Sequence, residues 1–340
     1  MRNCLLIVFP LICFISSCTQ NPEQGEQNEI YTEKEVATAL PSWADSETKD
    51  EILKFVKEAT ASESENFIPV EDRIAVFDND GTLWAEQPIY FQVFFAFDRI
   101  RQMAPEHPEW KDQQPYQAVL ENDWEKVAEM GMEGLASIIM TSHAGITVSD
   151  FEILVKTWID TARHPETDML YTEMVYQPML ELVDYLQQNE FKTFIVSGGG
   201  IEFMRPWAEE VYGIPKNQII GSSIKTEFVL VDSVPQINRL PELDFIDDKA
   251  GKPVGIYRFI GKKPVFCGGN SDGDLAMMQY TASNEHNSFM LYIHHTDSDK
   301  EWAYDRDSHV GHFDNGLDEA LAKGWIIVDM KSDWKTIFPE

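Results

Sequence analysis

The sequence predicts an α/β fold, with a mostly parallel sheet covered by helices on both faces and an all-helical section inserted into it. Three observations predict this. Short β-branched and aromatic runs alternate with helical patterns along most of the chain, as they do where crossover helices cover a parallel sheet. From about Pro88 to Arg163 the alternation stops and only helical spacing remains. The chain has 340 residues and 43% apolar content, enough to bury one large core, or one core and a satellite.

The opening residues fall outside that pattern. Met-Arg-Asn precedes an apolar run from Cys4 to Ile15, followed by Ser16, Ser17 and Cys18. A basic residue, a short apolar run and a small-residue cleavage point read as a secretory signal over residues 1–17. The run is well short of the ~20 residues that span a bilayer. Ile15-Ser16-Ser17-Cys18 resembles a bacterial lipoprotein signal, which implies lipidation at Cys18 as the mature N-terminus. Thr19 rather than an aspartate follows, so the resemblance implies an outer-membrane address, facing the periplasm or the cell surface. Residues 18–45 begin polar and aperiodic and are expected to be a flexible tether. Cys4 and Cys13 leave with the signal, so Cys267 is the remaining free thiol and no internal disulfide is expected. In the run PVFCGG it reads as a small buried hydrophobe.

The expected division is a core of 46–88 and 170–340 around a helical lid of 89–169. EILKFVKEAT (51–60) has helical spacing and RIAVFD (73–78) reads as a buried strand. IYFQVFFAFDRI and SDFEILVKTWIDTA are helical patterns within the lid. MLELVDYLQQ is helical, TFIVS (193–197) a strand, IEFMRPWAEEVY a helix, and KTEFVLVDS a strand or hairpin. KPVGIYRFI is helical, KPVFCGG a strand and DLAMMQYTA a helix, while FMLYI and WIIVDM are strands.

Four unusual segments fall at strand ends, where open α/β sheets bind ligands. FDNDGTLW places Asp78 and Asp80 two apart at a strand tip, with a glycine to turn the backbone. One such carboxylate can attack phosphorus and bind metal while the other donates a proton. IVSGGG offers the Ser197 hydroxyl and backbone amides before a helix, a site suited to phosphate oxygens. KAGKPVGI holds Lys249 and Lys252, with Lys252 favoured because it directly precedes Pro253 and a helical pattern. FCGGNSDGDLAMM brings oxygen donors, among them Asn270, Asp272 and Asp274, that can serve a hard cation or simply cap a helix.

In order and placement these four segments resemble the haloacid dehalogenase superfamily, whose sheet is Rossmann-like, and its phosphoserine-phosphatase-like branch in particular. The resemblance runs from about Leu40 to the C-terminus. It implies Asp78 as the nucleophile forming an aspartyl-phosphate, and Asp80 as general acid then base. It further implies Mg²⁺ held by Asp78, the Asp80 carbonyl and Asn270. Ser197, an amide near Gly198 and Thr82 would form the phosphate-binding set, with Lys252 balancing charge. Asn270 stands where the family has an aspartate ligand. An amide oxygen can bind Mg²⁺ but lacks the charge, so Asp274 or Asp272 is the alternative or supporting acid. Asp80 favours phosphoryl transfer, because dehalogenation has no leaving oxygen to protonate. The expected substrate is a small phosphate monoester. Pyrophosphate or phosphonate hydrolysis, phosphotransfer, and non-catalytic binding of a phosphorylated ligand are the alternatives.

Two further groups are candidates. Glu86, Gln87 and Tyr90 follow the first segment closely enough to touch substrate. His294 and His295, with His309 and His312 beyond, match no zinc spacing and read as loop residues near the mouth of the site. The net charge of −31 repels polynucleotides and anionic lipid, which excludes nucleic-acid binding as an expected function.

Overall fold

In the computed structural model, residues 39–339 are described. The signal, Cys18 and the first part of the tether lie outside the described residues. The expected tether ends sooner than residue 45. Leu40 and Trp43 are buried in the main core, with the Trp43 indole donating to the Pro178 carbonyl at 2.9 Å. Ser42 donates to Glu181 through both its amide and its hydroxyl.

Helix α1 (Glu47–Thr60) begins where the Ser46 side chain accepts the Lys49 amide, satisfying one of the unpaired N–H groups of the first turn. It leads to β1 (Ile74–Phe77), which is buried at every position. The lid follows as α2 (Phe91–Met103), α3 (Tyr116–Glu121), α4 (Trp124–Glu129), α5 (Gly131–His143) and α6 (Val148–Ile159). The chain returns through α7 (Gln177–Gln188) to β2 (Lys192–Gly200). The stretch expected as one helix then splits into α8 (Ile201–Met204) and α9 (Ala208–Tyr212). Pro206 lies in the gap, with no amide proton to continue the ladder.

Strands β3 (Ile219–Val231) and β4 (Val234–Phe245) form a hairpin whose turn residues Asp232 and Ser233 both have positive φ, 50° and 66°. Pro235 and Pro241 hide β4 from a periodicity reading, yet they are tolerated because β4 is an edge strand. The remainder is α10 (Gly251–Phe259), β5 (Phe266–Gly269), α11 (Leu275–Ala282), β6 (Phe289–His294), α12 (Asn315–Lys323), β7 (Ile326–Asp329) and α13 (Met330–Asp333).

The seven strands lie in the order β4-β3-β2-β1-β5-β6-β7, parallel except for the β3–β4 pair. The chain passes from β1 to β2 on one side, then to β5 on the other. The switch point therefore falls at the carboxyl end of β1. Alternation along the strands feeds two cores. Ala75, Phe77, Ile195 and Phe266 pack with residues of α1 and α7, while Ile74, Val76, Phe194 and Cys267 pack with residues of α10, α11 and α12. Helix α2 is apolar around most of its circumference because it serves two cores. Phe91 and Phe95 join the main core, whereas Val93, Ala96, Phe97 and Ile100 build the lid's own with Trp110 and Ile138.

Two features attach the lid. Its incoming and outgoing linkers are laced together, with the Ala85 amide donating to the Met174 carbonyl (3.0 Å) and Tyr176 to Leu83 (2.9 Å). The β3–β4 hairpin supplies the second attachment. Arg239 exchanges backbone hydrogen bonds with Gly145 and Ile146. Its guanidinium donates to the His143 carbonyl at 2.6 Å, lies 3.1 Å from Glu202 and sits 3.9 Å above the Phe151 ring. Among the described residues no helix is long and apolar enough to cross a membrane.

Candidate active site

Asp78 leaves the tip of β1 with its amide donating to the Gly268 carbonyl at the end of β5 (3.0 Å), so two adjacent strand ends fix its position. The loop then turns back on itself, the Leu83 amide donating to Asn79 at 2.8 Å and Gly81 to Trp84 at 2.9 Å. Gly81 has a φ of +70°, and a Cβ there would run into the Asn270 amide and the Glu86 carboxyl. Only glycine meets both demands. The Trp84 indole donates to Asp80 Oδ1 at 2.9 Å, and the Tyr212 hydroxyl donates to Asn79 at 3.1 Å.

Of the two candidate lysines, Lys252 reaches the site. Its buried ammonium donates to Asp78 Oδ1 (2.6 Å), Asp274 Oδ1 (2.6 Å) and the Val196 carbonyl (2.9 Å), so three strand ends converge on one cation. Lys249 is exposed on the preceding turn. The other oxygen of Asp274 accepts the amides of Asn270 (2.9 Å) and Ser271 (3.1 Å), which places Asp274 behind the fourth loop as its anchor.

Two expected roles are corrected. Asp272 does not face the site. Its carboxylate accepts the backbone amides of Asp314, Asn315 and Gly316 and the Asn315 side chain, so it caps α12 and is committed there. Thr82 is fully buried, and its hydroxyl donates to Asn270 Oδ1 at 3.2 Å. It ties the first loop to the fourth, so its hydroxyl proton is engaged with Asn270 and not offered to a phosphate oxygen.

Three carboxyl groups, Asp78, Asp80 and Asp274, lie within reach of the single ammonium of Lys252, and a fourth, Glu86, lies against Asn270. Burial, then the charge of Asp274, raises Asp78 well above the usual carboxylate range, against the opposing pull of Lys252. Burial pushes Asp80 up to about 6, even with the Trp84 hydrogen bond favouring its anion. Burial also raises Glu86 well above its usual range. Burial alone would lower Lys252, but Asp274 and Asp78 outweigh it and hold the ammonium firmly charged. The acids cannot all ionise beside one positive charge. An added hard divalent cation fits this charge deficit and the all-oxygen donors of Asp78, the Asp80 carbonyl and Asn270. Among the described residues no three His, Cys, Asp or Glu side chains form a chelate.

The second loop closes the other side. Ser197 is buried, with its Oγ accepting the Gly199 amide at 3.0 Å, and Gly198 is exposed at the mouth. A Cβ on Gly199 would lie 3.3 Å from Ser197 Oγ and 3.6 Å from Asp80 Oδ2, so these two side chains face the same small space. The helical insertion contributes there too, through a residue that no sequence motif marks. Gln92 on α2 accepts the Gly200 amide at 2.7 Å, and its Nε2 lies 3.0 Å from His143 Nε2. Burial first, then the Arg239 charge, pushes His143 down to about 3, so its Nε2 accepts from Gln92. Its Nδ1–H faces Ser142 Oγ at 2.7 Å. A lone amide within the apolar run IYFQVFFAFDRI was the available signal.

A second missed assembly supports the first loop from beneath. His295 lies inside the protein rather than at the mouth, with Nε2 2.8 Å from the Gly81 carbonyl, Nδ1 3.3 Å from Glu301, and its ring stacked on Tyr304. Glu301 also accepts the Tyr176 hydroxyl at 2.7 Å. Glu86 accepts from Asn270 Nδ2 (2.6 Å) and the Tyr304 hydroxyl (2.8 Å). Gln87 reaches the Val310 carbonyl at 3.1 Å, and Tyr90 is partly exposed.

Residues 75–279 match the family described as haloacid dehalogenase-like hydrolases. No curated protein matches the chain. Among solved structures, a conserved protein of unknown function from Anaerococcus prevotii DSM 20548 superposes with a TM-score of 0.53 at 15% identity, over 83% of this chain and 91% of that one. A protein of unknown function from Bordetella pertussis Tohama I gives 0.46 at 14% identity, over 76% and 98%. A phosphoserine phosphohydrolase-like protein from Francisella tularensis subsp. tularensis SCHU S4 gives 0.35 at 16% identity, over 65% and 87%. The first of these likenesses supports the fold and nothing finer.

Proposed function

The chain belongs to the haloacid dehalogenase-like hydrolase family, and from that premise we propose that it is a Mg²⁺-dependent phosphatase of small phosphate monoesters, in the phosphoserine-phosphatase-like branch. The observation that carries the reading is the pairing of Asp78, tied to the Lys252 ammonium at 2.6 Å, with Asp80, an acid held near a pKa of about 6 beside it. A bound Mg²⁺ would favour the Asp78 anion that burial disfavours, leaving Asp78 to act as the nucleophile and Asp80 as the proton donor.

In this mechanism an Asp78 oxygen attacks phosphorus while the bond to the leaving oxygen breaks. Asp80 gives its proton to that oxygen, and an aspartyl-phosphate is left. Asp80, now ionised, takes a proton from water as the water oxygen attacks the same phosphorus. Phosphate departs and both carboxyl groups are restored. Ser197 and the amide at Gly198 receive phosphoryl oxygens, and Lys252 offsets their charge together with that of Asp78. Asp78, the Asp80 carbonyl and Asn270 would hold Mg²⁺, which supplies charge neutralisation at the phosphoryl group when bound. The lid excludes water, with Gln92 at its inner face.

Nothing favours phosphonate cleavage, which calls for a lid lysine at the substrate. Lys126 and Lys156 are paired with acids at the surface, and Lys111 is exposed. For location we carry forward the sequence expectation of an exported lipoprotein anchored through Cys18, acting on small phosphorylated molecules and not on nucleic acid. Labelled palmitate incorporated by the wild type and lost in Cys18→Ser checks the anchor. An unlabelled wild type refutes it.

Phosphate release from a panel of esters with Mg²⁺ tests the activity. Asp78→Asn should abolish release. Asp80→Asn should slow alkyl esters more than aryl esters, by about 10²–10⁴-fold for the poorer leaving groups. Release that survives Asp78→Asn refutes the nucleophile, and equal loss on both ester classes refutes the acid. A wild type that binds phosphate esters without cleaving them is a binding protein instead.

A further inference from the structure

The fourth loop presents Asn270 where the family resemblance implies an aspartate, and the position of Glu86 answers that deficit. Both side chains are buried, at 1% and 2% exposure, and they meet at 2.6 Å, Asn270 Nδ2 donating to Glu86 Oε1. Glu86 takes its second donor from Tyr304. Among the described residues no basic side chain pairs with it, because the one ammonium of the site is committed to Asp78 and Asp274. A buried carboxylate without a cation is costly, and this one lies against the first loop, directly beside Gly81.

An aspartate at position 270 would offer two equivalent oxygens to a cation. An asparagine offers one oxygen and an NH₂ that repels it, so its amide must be held the right way round. Here both ends of the amide are fixed. Oδ1 accepts from Thr82, and Nδ2 is claimed by Glu86. We propose that Glu86 and Asn270 act as one divided metal-binding unit, in which Asn270 supplies the oxygen while Glu86 orients the amide and supplies the missing negative charge when the cation is bound. Glu86 is a positioning residue in this scheme, acting through Asn270. The inference rests on the phosphatase reading of the same site and explains why the fourth segment tolerates an amide there.

The test is calorimetric titration of Mg²⁺ into the full-length protein and four variants, with unfolding in EDTA measured alongside. Glu86→Gln should bind Mg²⁺ about 10–100-fold more weakly, the range typical of lost outer-shell partners. Asn270→Asp alone sets two acids 2.6 Å apart and should lower the melting temperature in EDTA, with Mg²⁺ reversing the loss. The exchange Glu86→Gln/Asn270→Asp restores one charge and one amide in swapped places, and should bind at least about tenfold more tightly than Glu86→Gln. If Glu86→Gln does not fold, the exchange variant is read against wild type, where binding within about tenfold supports the proposal and weaker binding overturns it. Glu86→Gln binding as tightly as wild type overturns the proposal, as does an exchange variant no better than the single one. Wild-type binding that Asp78→Asn abolishes would leave the phosphatase reading standing in either case. A wild type that binds no Mg²⁺ overturns both.

Discussion

Replacing Lys252 by methionine gives the most direct measure of how the site is held together. The side chain is buried and makes three hydrogen bonds, two of them to carboxylates at 2.6 Å. Methionine fills much of the same volume without the charge, so the loss isolates the electrostatic contribution. Breaking a buried ion pair from one side costs roughly 3–5 kcal/mol, because the partner charge stays behind. Here two partners stay behind, and one of them escapes by binding a proton. At about 2–4 °C per kcal/mol, the fall in melting temperature should be roughly 6–20 °C. The sign with pH follows from the same picture. Without the ammonium, burial and the Asp274 charge hold the folded pKa of Asp78 still further above its unfolded value of about 3.9, so the folded state binds protons more tightly than the unfolded one. The deficit against wild type should therefore be smaller at pH 5.5 and larger at pH 8. Urea unfolding in EDTA at both pH values measures it, and adding Asp274→Asn should recover about half. A loss below about 1 kcal/mol, a deficit independent of pH, or no recovery in the double variant would refute the account of Lys252 as the common counter-charge.

Two further outcomes are expected. Burial, against the pull of Lys252, pushes Asp247 up to about 7, so its contribution to stability is lost as pH rises from about 4 through 7. Asp247→Asn should flatten that slope and gain up to about 4 kcal/mol at pH 8, with little change at pH 4, and an equal effect at both pH values in denaturant melts would count against it. Arg239→Met strips Glu202 and the His143 carbonyl of their buried cation. It should cost about 2–4 kcal/mol and speed hydrogen exchange in residues 139–151, while unchanged exchange there would mean the hairpin does not hold the lid.

The main sheet was legible because its strands are short continuous apolar runs bounded by turn residues, as in RIAVFD and TFIVS. Asp78 and Asp80 were legible because a strand tip followed by Asp-Gly-Thr has few purely structural explanations. What escaped was local chemistry overridden by distant contacts. β4 carries two prolines and reads as loop, yet it is ordered by pairing with β3 and by Arg239 at the lid. Asp272 has the composition of a metal ligand, and the start of α12, more than forty residues on, claims it as a cap. Glu86, Gln92 and His295 take their roles from partners 51 to 214 positions away, and no local pattern encodes such pairings. Near residue 40 the short run ALPSWA is too brief to show a period, so the burial of Trp43 separates tether from core only in three dimensions.

The laced linkers at Leu83–Ala85 and Met174–Tyr176 have a consequence for how such proteins diversify. The two chain ends that carry the insertion run side by side, so it can be exchanged at that point, provided a replacement also fills the main-core positions of Phe91, Phe95 and Phe151. It could be excised near Gln87 and His164, whose backbone and ring are 3.0 Å apart, and rejoined by a residue or two without stretching a strand. Lineages could then exchange one cassette for another, altering which molecules are admitted while the reactive centre beneath is inherited intact.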